Sequence, residues 1–275
     1  MSTFYDQLST LWQEGKFLCV SLGMNANELP KHLRRQFDFH LAAATLEFNR
    51  RIIDATKDYV CAFKPNLTFY EHSPLFENAL VLTVEYIHQV APEIPVILDS
   101  NSYGATTAAF DRYDADAVTI HPYLGLNANR WFLDRRDKGI IVLVKASSLY
   151  NREFQDLLLA NDLRLYQQVA DNVASHWNYN ENVAVAVSAN SPRELKKVRA
   201  LIGDMPILIP DIDDARGISL GDIVRAGINS HGNGIIINSS CRIIYASSDE
   251  YFAEYAGYEA KILNDQINAA IRASI

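Results

Sequence analysis

The chain has 275 residues, 49% of them hydrophobic, with 25 Lys and Arg against 33 Asp and Glu, giving a formal net charge of -8 and a pI near 5.4. Such a surface repels phosphate backbones and anionic membranes, which argues against nucleic-acid and membrane partners, and no stretch approaches the roughly 18 uninterrupted apolar residues of a membrane span. The length suits one large core and a small-molecule substrate.

The first residues, MSTFYDQLSTLW, carry no basic and then apolar leader, and residues 1–17 read as a helical lead-in. Short β-branched runs then alternate with helically spaced segments. Strands are expected at 18–22, 59–64, 95–99, 117–121, 140–146, 183–188, 206–210 and 234–239. Helices are expected at 39–57, 74–90, 104–113, 125–137, 152–177, 191–202, 218–227 and 248–272. Ser191 before Pro192 reads as an N-cap, and Gly203 and Gly227 as helix ends. Eight such units without a linker predict an α/β fold, a single (β/α)8 barrel domain over 1–275, with a doubly wound sheet as the alternative. Cys19, Cys61 and Cys241 fall in no CxxC or Cys/His metal spacing, consistent with a reducing, cytoplasmic setting.

Side chains alternate along a strand, so the polar members of each apolar run mark what points into the barrel near its C-terminal mouth. The inward pairs are Ala62 and Lys64, Ile97 and Asp99, Thr119 and His121, Leu143 and Lys145, and Ile209 and Asp211. Barrel enzymes keep their chemistry at that face, so Lys64, Asp99, His121, Lys145 and Asp211 are the candidate catalytic groups. An amine among apolar walls can serve as a base or form an imine, and an imidazole is an acid or base at neutral pH. The bland alternative is that each lysine is paired with Asp99 or Asp211 in a structural network, and His121 is a satisfied polar group. No cofactor is called for. Oxygen and imidazole donors from Asp99, His121, Asp211 and Asp213 suit a divalent metal, although no compact ligand spacing supports one.

Five blocks in order, FNRRIIDATKDYVCAFKPN (48–66), FYE (69–71), HPYLG (121–125), GDMPILIP (203–210) and INSSCRIIYAS (237–247), resemble the longer bacterial subgroup of the orotidine 5'-phosphate decarboxylase family, over residues 4 to about 258. The resemblance implies a lyase, a homodimer and a phosphate-bearing substrate. It places Lys64 and Asp99 in the family's charged network. It also exposes departures. Gly23 stands where the family has a nucleotide-contacting aspartate. Asn101 stands where it has the proton-donating lysine of an Asp-x-Lys-x-x-Asp motif, Ser102 near its second aspartate, and Cys241 where it has an arginine. After strand seven the chain reads Asp211, Ile212, Asp213, Asp214, Ala215, Arg216, Gly217. Asn66, Asn101, Ser102, Asp213, Arg216, Ser240 and Arg242 are the candidate substrate-binding residues.

An amide at 101 cannot protonate a carbanion. The expectation from sequence is therefore a divergent family barrel with a rebuilt site, doing lyase or proton-transfer chemistry on a different small molecule. The alternatives are a non-catalytic small-molecule-binding barrel and an atypical orotidine 5'-phosphate decarboxylase.

Overall fold

The computed structural model describes residues 3–23, 25–71, 73–100, 108–147, 152–210, 212–215 and 217–275. Eight parallel strands form one sheet: β1 Leu18–Leu22, β2 Val60–Pro65, β3 Ile97–Leu98, β4 Ala117–Ile120, β5 Gly139–Lys145, β6 Val183–Val187, β7 Ile207–Ile209 and β8 Ile235–Ser239. The order is β2-β1-β8-β7-β6-β5-β4-β3. The two ends of that order meet: Phe63 bridges Val96, Asn66 bridges Asp99, and Asp99 N–H donates to Pro65 O at 2.9 Å. The sheet thus closes into a (β/α)8 barrel, with a seam between β2 and β3 made of isolated bridges. Nearly every strand residue is buried, as an all-parallel sheet covered on its outer face requires.

The helices cover this barrel for reasons legible in their sequences. Helix α1, Phe4–Gln13, starts from a capping box in which Thr3 and Asp6 exchange hydrogen bonds. After α2 (Lys31–Gln36) comes α3 (Leu41–Thr56), which buries Phe48, Ile52 and Ile53; each contributes about 1.5–3 kcal/mol of apolar burial. Helix α4 (Pro74–Val90) opens with Ser73 as N-cap and Pro74 in its first turn. Then follow α5 (Gly125–Leu133), α6 (Arg152–Gln155), α7 (Leu165–Asn172), α8 (Pro192–Ile202), α9 (Leu220–Gly227), α10 (Cys241–Ile244) and α11 (Phe252–Arg272). Phe48 of α3 stacks on Phe252 of α11, with centroids 4.8 Å apart and planes at 11°.

The barrel floor is stoppered by α1. Gly139, the first residue of β5, faces Phe4 so closely that a Cβ there would lie 2.2 Å from the ring. Nearby, His88 of α4 reaches Asp116 at 3.0 Å and Asp114 at 3.5 Å. Hydrogen bonding to Asp116 raises the His88 pKa, against a smaller opposing effect of burial. Arg199 of α8 donates to the carbonyls of Gly203, Met205, Gly227 and Gly234 at 2.6 to 3.1 Å. Burial pulls its guanidinium down to about 10, so it stays charged at neutral pH and ties the entries of β7 and β8 together.

Two expectations change and a third holds. The helix expected over 152–177 is broken into α6, a bridge between Leu158 and Arg164, α7 and a π turn at Val173–Trp177. The break lies at Asn161 and Asp162: Asn161 accepts from Leu163 N–H, and Asp162 adopts a φ of 62°. Such local side-chain turns compete with helix. Gly227 is the last residue of α9 rather than a residue beyond it, and a Cβ there would meet Ile209 at 3.0 Å, so packing against β7 explains this glycine. Gly203 does end α8, with a φ of 60°.

Candidate active site

At the C-terminal mouth β2 delivers Lys64, and the residue after β3 is Asp99. Lys64 Nζ is ion-paired with Asp99 Oδ2 across the barrel seam. The other oxygen, Oδ1, receives the Thr119 hydroxyl of β4 at 2.7 Å, and that hydroxyl accepts from Ser100 N–H at 3.1 Å. Burial works to raise the Asp99 pKa, but the charge and hydrogen bond of Lys64, the Thr119 hydrogen bond and the proximity of His121 outweigh it. The carboxyl is held below its ordinary value. A half-buried carboxylate with a cation and a hydroxyl on its two oxygens is ionised and oriented at neutral pH.

These groups line a cavity of about 200 Å³ with Ser100, His121 and Ser147, walled by Leu143, Ala186, Leu208 and Pro210. The described residues thus bring together Lys64, Asp99 and His121 of the five catalytic candidates. An amine, a carboxylate and an imidazole on a partly apolar wall can hold an anionic ligand and move a proton at neutral pH. Cys19, on β1 below, is no nucleophile: burial pushes its thiol up to about 12.

Lys145 is used elsewhere. Its amine pairs with Asp156 at 2.6 Å and sits 5.1 Å from the centroid of the Tyr166 ring. It is absent from the cavity lining, although Leu143, two residues earlier, is part of it. The cause is a register shift between Leu143 and Lys145 in the β5–β6 ladder, since an irregularity there breaks the alternation that sets facing. Asp156 and Tyr166 are partners that sequence reasoning gives no task, because nothing in their local spacing points to β5.

The substrate-binding candidates also divide. The Asn66 side chain accepts from Thr68 N–H at 3.1 Å, turning the chain after β2. Asp213 accepts from Ser239 Oγ at 2.7 Å, Ser240 N–H at 2.8 Å and Arg242 N–H at 3.2 Å. The acidic residue expected to meet ligand therefore binds the chain's own donors at the end of β8. Ser240 is the N-cap of α10. The Arg242 guanidinium turns outward to Glu259 of α11 at 2.9 Å. Asn101, Ser102, Asp211 and Arg216 lie outside the described residues.

Gly23 has a structural reason to be glycine. A Cβ there would stand 3.0 Å from the Phe69 ring and 3.1 Å from Asn66 Cβ, so a larger side chain requires that pair to move. Of the expected metal donors, Asp99 and His121 flank one cavity while Asp213 is engaged at β8. Among the described residues no group of three or more His, Cys, Asp or Glu is placed to hold a metal ion, and no helix is long and apolar enough to cross a membrane.

A closed β/α barrel with its charged side chains gathered at the C-terminal mouth is the architecture of a barrel enzyme. The model of the orotidine 5'-phosphate decarboxylase / HUMPS family matches residues 37–254. The chain is 41% identical over 277 aligned residues to the orotidine 5'-phosphate decarboxylase of Janthinobacterium sp. (strain Marseille), covering 98% of this chain and 99% of that one. It is also 41% identical to the enzyme of that name from Ralstonia nicotianae, covering 96% and 98%. The solved structure of Leishmania donovani OMP decarboxylase superposes with a TM-score of 0.83 at 30% identity, covering 98% of this chain and all of that one. The chain belongs to the orotidine 5'-phosphate decarboxylase / HUMPS family, a family of enzymes.

Proposed function

We propose that the chain is an atypical orotidine 5'-phosphate decarboxylase, a lyase in which Lys64 supplies the proton that Asn101 cannot. Near-full-length identity to relatives of that name favours this reading over a rebuilt site for a different substrate. The observation that carries it is the Lys64–Asp99 pair fixed by Thr119 at the edge of the mouth cavity. With the substrate carboxylate held against ionised Asp99, repulsion between the two charges is relieved as the bond from C6 to the carboxylate breaks. CO2 leaves, the electron pair stays on C6, and the Lys64 ammonium gives C6 a proton. Lys64 then regains its proton from solvent. No cofactor takes part, and we take the enzyme to be a cytoplasmic homodimer whose residues 1–275 work as one barrel domain.

The test is incubation of purified protein with orotidine 5'-phosphate in D2O. The expected result is CO2 release with one deuterium at C6 of the product, lost in Lys64→Ala. Absence of product by mass spectrometry, together with failure to rescue a pyrimidine auxotroph, would overturn the assignment.

A second reading, a barrel acting on a small molecule without a phosphate, is favoured by Asp213, whose carboxylate already occupies the Ser240 and Arg242 N–H groups at the end of β8, donors that an anionic group would otherwise take. Calorimetric titration with orotidine and with its 5'-phosphate separates the two, since tighter binding of the phosphate-free compound supports only the second.

A further inference from the structure

The β3–β4 ladder pairs Leu98 with Val118 and stops there. One residue further along each strand stand Asp99 and Thr119, and the hydroxyl of Thr119 takes over from the ladder. It receives Ser100 N–H at 3.1 Å and lies 2.7 Å from Asp99 Oδ1. A backbone N–H can only donate, so it occupies a lone pair of the hydroxyl, whose single proton then points at Asp99. Asp99 receives hydrogen bonds at both oxygens, from Thr119 on one and Lys64 on the other.

From this polarity we infer that Thr119 is a positioning residue that locks Asp99 as an acceptor in one orientation and leaves Lys64 as the proton carrier of the pair. The inference rests on Lys64 and Asp99 being the working pair of the proposed reaction. Thr119 need not touch substrate to matter, because it acts through Asp99. Other charged or titratable groups face this carboxylate too: Lys64 from β2, His121 beyond β4, and Cys19 from β1, whose thiol is influenced by Lys64 and Asp99. Each stays in place when only the Thr119 hydroxyl is removed.

The experiment is a 13C NMR titration of the Asp99 carboxyl in the wild type, Thr119→Val and Thr119→Ser, with thermal melting to show that each is folded. Valine keeps the branched shape and loses the hydroxyl; serine keeps the hydroxyl. The expected result is an upward move of the Asp99 titration in Thr119→Val and a return toward wild type in Thr119→Ser. With turnover in hand, Thr119→Val should lower kcat by about tenfold and leave KM within about twofold, the pattern of an interaction expressed in the transition state. An unchanged titration in folded Thr119→Val overturns the inference. Should that variant not fold, Thr119→Ser carries the test: a wild-type Asp99 titration supports the role, and an upward move despite the retained hydroxyl overturns it. The titration requires no turnover. A shifted titration without decarboxylation therefore rejects the proposed reaction and keeps the role of Thr119, whereas turnover with an unshifted titration does the reverse.

Discussion

Lys64 and Lys145 occupy matching places near the ends of β2 and β5, each almost wholly buried and each paired with a carboxylate, yet one borders the mouth cavity and the other does not. On the β2 side the register runs unbroken from Cys19–Ala62 to Leu22–Pro65, and Lys64 meets Asp99 over the cavity. On the β5 side the ladder slips one residue before Lys145, and the amine meets Asp156 beside Tyr166. Counting alternate residues gives both lysines the same facing. The slip in the β5 ladder and the pairing partner it brings, both set by tertiary structure, separate an amine that lines the mouth cavity from one that anchors the segment after β5.

Removing Lys64 tests the first half of that contrast. Lys64→Ala should abolish turnover, by at least about 100-fold as expected for a lost general acid, and cost about 1–3 kcal/mol in urea denaturation because the half-buried Asp99 carboxylate is left without its cation. Lys145→Met tests the second half. It should keep turnover within about threefold while costing about 2–3 kcal/mol and speeding proteolysis within 152–164. A loss of activity as deep as that of Lys64→Ala, with stability intact, would return Lys145 to the chemistry.

Gly139→Ala extends the comparison to the other end of β5. With the Phe4 ring in the way, it should cost about 1–3 kcal/mol by forcing α1 off the floor, measured as a lower urea midpoint with the mouth chemistry unchanged. The smallest effect is expected at His88. Its folded pKa is raised above the ordinary 6.5, so its pairing with Asp116 stabilises fully below that value and the contribution is lost as pH rises through the folded pKa. The difference in unfolding free energy between wild type and His88→Gln, read from urea melts across pH, should therefore be largest in mild acid, at about 1 kcal/mol or less, and close in alkali. A gap that widens with pH would contradict this sign.

The strands were legible because β-branched apolar runs buried on both faces leave a continuous signal, and their expected ends match the ladders to within one or two residues at most positions. The seam was not. Val96 and Asp99 join β2 through isolated bridges, a property of barrel closure rather than of local pattern, and β3 is correspondingly short. In the site, Lys64, Asp99 and His121 could be read from alternation. Thr119 could be placed on the inward face, but its task depends on Ser100 N–H and Asp99 converging on it from a neighbouring strand. Lys145 misled because one irregular residue in β5 reverses what alternation predicts.

The seam gives the Lys64–Asp99 pair a second office. Asp99 is joined to β2 by its backbone at Asn66 and Pro65 and by its side chain at Lys64, so the same two residues clasp the barrel where its ladder is thinnest. The pair therefore has an architectural task of its own, separate from whatever reaction the mouth cavity runs. His121, exposed at the mouth, closes nothing. Exchanging it alters the lining of the mouth cavity while leaving the clasp between β2 and β3 in place.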